Sequence, residues 1–275
     1  MKYRIRPVML IFFILILLSA CKKSPADPEF SLTVYDAGKG DAFLFHSEGF
    51  NMMVDCGYKD SGDFILKDLY NKNISKLDLL IISHFDKDHV GGAAKIVKNM
   101  RIDRIITSPV TNDDKRTVKF LEALSEKGLK NEVPSADISI EEKGFKVEVC
   151  PPLNSPYDED NDNNSSLLVK VGFEYGTLLF TGDAEDLRID EILSKNDLKC
   201  DVLKIPHHGT EDFKIGELID AAAPSIALIT SSEEESADEK VLNILNEKGV
   251  TVYDTKDKGS FILEFTAEGI RAVPY

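Results

Sequence analysis

The sequence predicts a layered α/β domain in which sheet is covered by helices, and three observations support this. From residue 77 onward, short apolar runs alternate with helical patterns, the order that lays helices over sheet. Residues 79–82 (Leu79, Leu80, Ile81, Ile82) are apolar without interruption, as a strand buried on both faces must be. The length of 275 residues, 43% of them hydrophobic, is enough for one large domain with a sizeable core and too unbiased for a disordered or collagen-like chain.

The first 20 residues stand apart from that domain. Lys2, Arg4 and Arg6 precede an apolar run from Pro7 to Leu18, and small residues then lead into Cys21. A basic start, a short apolar stretch and a small-residue site make a secretory signal, and the run is too short to span a bilayer comfortably. Leu18-Ser19-Ala20-Cys21 resembles a bacterial lipobox, which implies that Cys21 is acylated and becomes the mature N-terminus. An uncleaved N-terminal anchor is the other reading. Either one places the bulk of the chain outside the cytoplasm, in the cell envelope, with the membrane as partner through the lipid. Residues 21–29 carry Pro25 and Pro28 among polar residues and read as a tether, so the domain spans 30–275.

The strand signals open with 31–36, 41–46 and 51–55, which are short, apolar or alternating, and separated by glycine-containing turns, as in a meander. A helix with Phe64, Ile65, Leu66 and Leu69 follows over 63–71, then the buried strand 77–83. The later strands are predicted at 104–107, 146–150, 166–172, 177–181, 201–205, 225–230, 251–254 and 261–265. Helices are predicted at 92–98, 113–127, 184–194, 213–222 and 238–247.

Charge narrows the function. The chain carries 33 basic and 48 acidic residues, a formal −15, and without residues 1–20 the balance is 30 against 48, or −18. Such a surface repels polyanions at long range, which argues against a protein gripping DNA over a broad face. An anionic substrate must instead be met at a local site, with metal. Beyond Cys21, the odd number Cys56, Cys150 and Cys200 offers no CxxC pair and reads as three small residues on or beside strands.

Four of the five histidines fall in two clusters. Ser83-His84-Phe85-Asp86-Lys87-Asp88-His89-Val90-Gly91-Gly92 places two imidazoles and two carboxylates within six positions on a loop leaving the buried strand. Two pairs of hard or borderline ligands there suit two adjacent divalent ions. The second cluster, Lys204-Ile205-Pro206-His207-His208-Gly209, also follows a short apolar strand. Adjacent side chains in extended structure point to opposite sides, so one histidine is expected to bind metal and the other to orient it or meet substrate. His208 is the choice for the ligand and His207 for the substrate side. Between the clusters, Phe180-Thr181-Gly182-Asp183 ends an apolar strand in a carboxylate able to give one oxygen to each of two cations. Lys204 is either a cation for a phosphoryl oxygen or leaving group, or a salt-bridged surface residue.

This order of motifs resembles the metallo-β-lactamase superfamily. The variant loop with Asp86, together with Asp36-Ala37-Gly38-Lys39-Gly40-Asp41-Ala42, Val54-Asp55-Cys56-Gly57 and Lys204-x-x-His207-His208-Gly209, is similar to the hydrolase domain of ComEC competence proteins over about residues 31–265. The resemblance implies a single-domain αββα sandwich with a two-metal hydrolytic site. Carried over by position, His84 and Asp86 would hold the first metal, Asp88, His89 and His208 the second, and Asp183 would bridge. Asp88 would also act in catalysis beside Lys204 and His207, while Asp41 and Asp55 would support the ligands from behind.

Two departures stand out. No histidine lies between residues 90 and 206, where many superfamily members have a further ligand for the first metal; Asp162 or Asn163, in an Asn-rich segment, is the candidate there. Ser236 stands near the place of a late histidine in ComEC-like chains. The implied activity is a phosphodiesterase or nuclease using zinc or manganese, with a phosphodiester substrate, DNA among the candidates, and no stable protein partner. The alternatives are a hydrolase of a small cell-envelope phosphodiester and a non-enzymatic surface lipoprotein with a partial metal site. A β-lactam substrate ranks lower, because those relatives keep His at the position of Asp86.

Overall fold

The computed structural model describes residues 30–158, 161–195 and 197–275; the expected signal peptide, the tether and Cys21 lie outside the described residues. The N-terminal half contains β1 (Phe30–Val34), β2 (Ala42–Ser47), β3 (Phe50–Cys56), α1 (Ser61–Asn71), β4 (Lys76–Ile82), α2 (Ala93–Asn99), β5 (Arg101–Thr107) and α3 (Lys115–Lys127). The remainder contains β6 (Ile138–Glu142), β7 (Phe145–Cys150), α4 (Asn161–Asn164), β8 (Leu168–Phe173), β9 (Gly176–Phe180), α5 (Asp186–Leu193), β10 (Val202–Lys204), α6 (Ile215–Ala222), β11 (Ile226–Ile229), α7 (Glu239–Glu247), β12 (Thr251–Asp254), α8 (Thr255–Lys258), β13 (Phe261–Thr266) and β14 (Gly269–Pro274).

Two seven-stranded sheets result, ordered β14-β13-β1-β2-β3-β4-β5 and β12-β11-β10-β9-β8-β7-β6. The opening meander β1-β2-β3 pairs antiparallel as its glycine turns predict, whereas β3-β4-β5 and β9-β10-β11-β12 are parallel. Parallel strands need crossovers, and the helices supply them.

The sheets face each other through Leu32, Phe43, Phe45, Leu79 and Ile81 on one side and Phe145, Val147, Val169, Val171 and Phe180 on the other. Ile65, Leu69, Ile96 and Phe120 pack the helices of the first half against the outer face of the first sheet. Ile189, Leu218 and Val241 do the same on the second. The chain is therefore an αββα sandwich.

The pattern behind each element is local. Asp114 caps α3, its side chain accepting the Arg116 amide at 2.7 Å, and Gly128 ends the helix in the left-handed region at φ 65°. Four elements went unpredicted, and all are short or at an edge. β6 and β14 are half-exposed edge strands whose alternation is weak, and β6 joins β7 through Lys143-Gly144, both at positive φ as a two-residue hairpin requires. α4 and α8 are four residues each. Cys56, Cys150 and Cys200 are free, the first and last buried and Cys150 half-buried.

One buried cation ties three segments together near the site. Arg188, fully buried on α5, donates to the Ser166 carbonyl at 3.0 Å, the Cys150 carbonyl at 2.7 Å and Glu191 Oε2 at 2.8 Å. Glu191 in turn accepts the amides of Leu153 and Asn154. Truncating one partner leaves an uncompensated buried charge, so Arg188→Ala is expected to destabilise the fold by about 3–5 kcal/mol. Urea unfolding would measure it, and a loss under 1 kcal/mol would contradict this reading.

Candidate metal centre

The candidate residues gather at the C-terminal ends of β3, β4, β9, β10 and β11, where open α/β sheets place their sites. β3 ends in Asp55, β4 leads into the 83–92 loop, β9 into Gly182-Asp183, β10 into His207-His208, and β11 into Thr230.

Local backbone strain puts these groups in place. Asp55, His207 and His208 occupy the left-handed region at φ 57°, 46° and 55°, a conformation disfavoured for side-chain-bearing residues and common at functional sites. The two successive left-handed histidines turn the chain sharply over Pro206–Gly209 instead of continuing the strand, which separates their side chains. Gly182 is also left-handed, and a Cβ there would lie 2.7 Å from Ser166 Oγ, so only glycine lets Asp183 enter.

Three imidazoles are held from behind by hydrogen bonds that fix their tautomers. His89 Nδ1 lies 2.8 Å from Asp55 Oδ2, and a carboxylate only accepts, so Nδ1 carries the proton. Thr230 donates its hydroxyl to Asp41 Oδ1 at 2.5 Å, so its oxygen accepts from His208 Nδ1 at 2.9 Å. Ser83 likewise donates to Asp55 Oδ2 at 2.6 Å and accepts from His84 Nδ1 at 3.1 Å. Each ring therefore turns its Nε2 the other way, the nitrogen whose lone pair is available to a cation once the ring is neutral.

Those three Nε2 atoms, with Asp183 Oδ1, are buried and have no hydrogen-bond partner. An orphaned buried polar atom costs on the order of 1–3 kcal/mol. Four of them in one site is the signature of donors for a cation, and metal-binding histidines do donate their other nitrogen to a carboxylate or similar acceptor. Donor atoms of Asp88, His89, Asp183 and His208 all lie within 4.8 Å of one another. Asp183 Oδ2 is 3.2 Å from His89 Nε2 and 3.1 Å from His208 Nε2, and Asp88 Oδ2 is 3.5 Å from His208 Nε2. His84 Nε2 lies 3.8 Å from Asp86 Oδ2 beside this group. The residues fit a metal centre.

The electrostatics agree. Burial pushes the pKa of His84 well down, keeping it neutral. Burial opposes charge on His89 and His208 as well, but Asp183, with Asp55 beside one and Asp88 and Asp41 beside the other, raises both. Burial also raises Asp86, to about 6. Asp88 is held at about 2, because its contact with His208 and the nearness of His89 outweigh its desolvation. A pocket this rich in carboxylate holds either protons or a cation.

Several predicted residues occupy other positions. Lys204 requires a correction: its salt bridge is not at the surface. It is 1% exposed and its ammonium sits 3.0 Å from Asp41 Oδ2 while donating to the Ile205 carbonyl, so it neutralises the carboxylate behind His208. His207 is half-buried, with Nδ1 3.1 Å from Glu185 Oε1, and Asn163 donates to the same oxygen at 2.7 Å. Asp162 is engaged by Asn112 at 3.0 Å, whereas Asn163 keeps a buried Oδ1 without a partner. Ser236 is exposed and bonds Ser232 and Lys256.

Thr230, Ser83 and Glu185, which position the three histidine contacts described above, were not singled out from sequence. The only sequence signal available for Thr230 was its place at the end of an apolar strand.

A two-sheet αββα sandwich with histidine and aspartate donors at its strand ends fits a metal-dependent hydrolase. The chain belongs to the Metallo-beta-lactamase superfamily, whose model matches residues 35–230. It is 29% identical over 194 residues to ComE operon protein 3 of Bacillus subtilis (strain 168), covering 69% of this chain and 25% of that one. It is 28% identical over 229 residues to Recombination protein 2 of Haemophilus influenzae, covering 82% and 26%. The chain thus spans about a quarter of the length of these curated relatives. The crystal structure of the metallo-beta-lactamase fold protein YhfI from Bacillus subtilis superposes with a TM-score of 0.55 at 17% identity, covering 86% of this chain and 99% of that one, and carries the fold. Among the described residues no helix is long and apolar enough to cross a membrane.

Proposed function

We propose that the chain is a phosphodiesterase that works with two divalent cations, zinc or manganese, outside the cytoplasm, held there by lipid on Cys21. The observation that carries the metal assignment is the set of four orphaned donors, His84 Nε2, His89 Nε2, His208 Nε2 and Asp183 Oδ1. His84 and Asp86 would hold one ion, Asp88, His89 and His208 the other, and Asp183 would contact both; Asn163 supplements the first pair. Such ions activate water and neutralise charge at the attacked phosphorus. An oxygen-rich set with Asp86, Asp88 and Asp183 accommodates manganese as well as zinc.

The protein's own groups do the remaining work. Asp55 and Thr230 fix the imidazoles, and Lys204 with Asp41 stabilises that support from the rear. Glu185 holds Nδ1 of His207, which leaves the other nitrogen of a partly exposed ring for substrate or leaving group. The name of the Haemophilus relative, a recombination protein, supports nucleic acid as the phosphodiester class.

The test is turnover of bis-p-nitrophenyl phosphate by the purified full chain with Mn²⁺ or Zn²⁺. Turnover that Asp88→Ala abolishes is expected. No turnover, or a rate that Asp88→Ala leaves unchanged, would contradict the reading, and hydrolysis of nitrocefin in its place would reassign the substrate class.

A further inference from the structure

Against a net charge of −15, one groove is strongly basic. It runs between α2 and α3, encloses about 700 Å³, and is lined by Lys59, Lys95, Lys98, Lys115, Arg116 and Lys119, with Glu122 as the one acidic residue of its lining. Lys95, Lys98 and Arg116 pair with Asp63, Glu126 and Asp114. Lys59, Lys115 and Lys119 are exposed and have no carboxylate within salt-bridge distance among the described residues. Three uncompensated cations held on facing elements of an acidic protein create a local positive field that the fold does not require.

One end of the groove lies against the loop that carries the candidate metal ligands. Gly91, which lines it, lies two residues after His89, and a Cβ on Gly91 would come within 2.3 Å of the Lys87 carbonyl and 2.6 Å of the Lys59 amide. The floor of the groove is therefore packed against the loop that carries Asp86, Asp88 and His89.

We infer that this groove binds the phosphate backbone of a single-stranded nucleic acid and leads it to the metal centre, an inference that rests on the phosphodiesterase reading. A concave channel with unpaired cations on α3 and on the facing loop at Lys59 suits a thread, whereas a lipid surface calls for a flat or convex basic face. Lys115 and Lys119 stand about one helical turn apart, about 6 Å along the axis, a spacing that lets them meet successive phosphates of one strand. His84, His89 and Asp183 are 0–3% exposed, so the scissile phosphate must leave the groove and enter a recess. A flexible single strand makes that bend without the elastic energy a duplex demands. The acidic remainder of the surface confines the strand to this path.

The experiment measures fluorescence anisotropy of a labelled single-stranded oligonucleotide with the full chain, without added metal, over a range of salt concentrations, for the wild type and Lys115→Ser/Lys119→Ser. Both positions are exposed, and unchanged circular dichroism would confirm the fold of the variant. The double variant is expected to bind about tenfold more weakly and to flatten the slope of log K against log salt by about 1.4, at roughly 0.7 per lost single-strand phosphate contact. Its turnover of bis-p-nitrophenyl phosphate is expected to match the wild type. Equal affinity and slope in both proteins would overturn the inference. So would tighter binding to phosphatidylglycerol vesicles or to duplex than to the single strand. Failure of both proteins to turn over the small ester counts against the hydrolase reading alone, because the binding arm reports on the groove independently.

Discussion

Asp183→Ala is expected to lower phosphodiester turnover by on the order of 10³-fold or more, a loss of about 4 kcal/mol of transition-state stabilisation. Asp183 is 3% exposed at the end of β9, with one oxygen close to both His89 and His208 and the other without a partner. No other carboxylate among the described residues faces both imidazoles so closely. Removing it takes a donor from each proposed ion, so bound metal should fall together with activity. Asp183→Asn, which keeps the shape and loses the charge, should behave the same way. Retention of turnover within tenfold in either variant would remove Asp183 from the centre.

Lys204→Met should destabilise the fold by about 3–5 kcal/mol, because it strands the Asp41 carboxylate without its buried counter-charge. The consequence then travels along named contacts. Asp41 accepts the Thr230 hydroxyl, and Thr230 fixes Nδ1 of His208. Loosening that support should weaken metal affinity by about 10–100-fold while kcat at saturating metal stays near the wild-type value. Denaturant titration and a metal-dependence curve separate the two effects. If Lys204 touched substrate, kcat would fall at saturating metal with stability intact. Adding Asp41→Leu to Lys204→Met should recover part of the stability, since an apolar pair can replace a buried ion pair at little loss.

These two residues show what the sequence revealed and what it hid. Strands such as β4 and β9 were legible because burial on both faces writes a continuous apolar run, and the turns around Gly57 and Gly182 are marked by the residue that tolerates them. β6 and β14 were illegible because an edge strand that faces solvent needs little hydrophobic pattern. The metal loop was legible because its histidines and aspartates are close in sequence. The burial of Lys204 was not legible because β10 is only Val202–Lys204, all three residues buried in the middle of a sheet, and its counter-charge arrives from the turn before β2. Thr230 and Glu185 share that cause: each acts on a histidine contributed by a different element, and no local pattern records such a meeting. His207 and His208 were separable in principle, since only one of two neighbours can face a given space, but the left-handed turn that separates them is a tertiary result.

The central claim is that histidines and aspartates at the strand ends form a divalent-metal centre, and metal content tests it most directly. Elemental analysis of the purified full chain after equilibration with Mn²⁺ or Zn²⁺ is expected to give about two ions per chain, and about one in His208→Ala. A chain that binds no metal, and whose unfolding temperature is indifferent to a chelator, would contradict it.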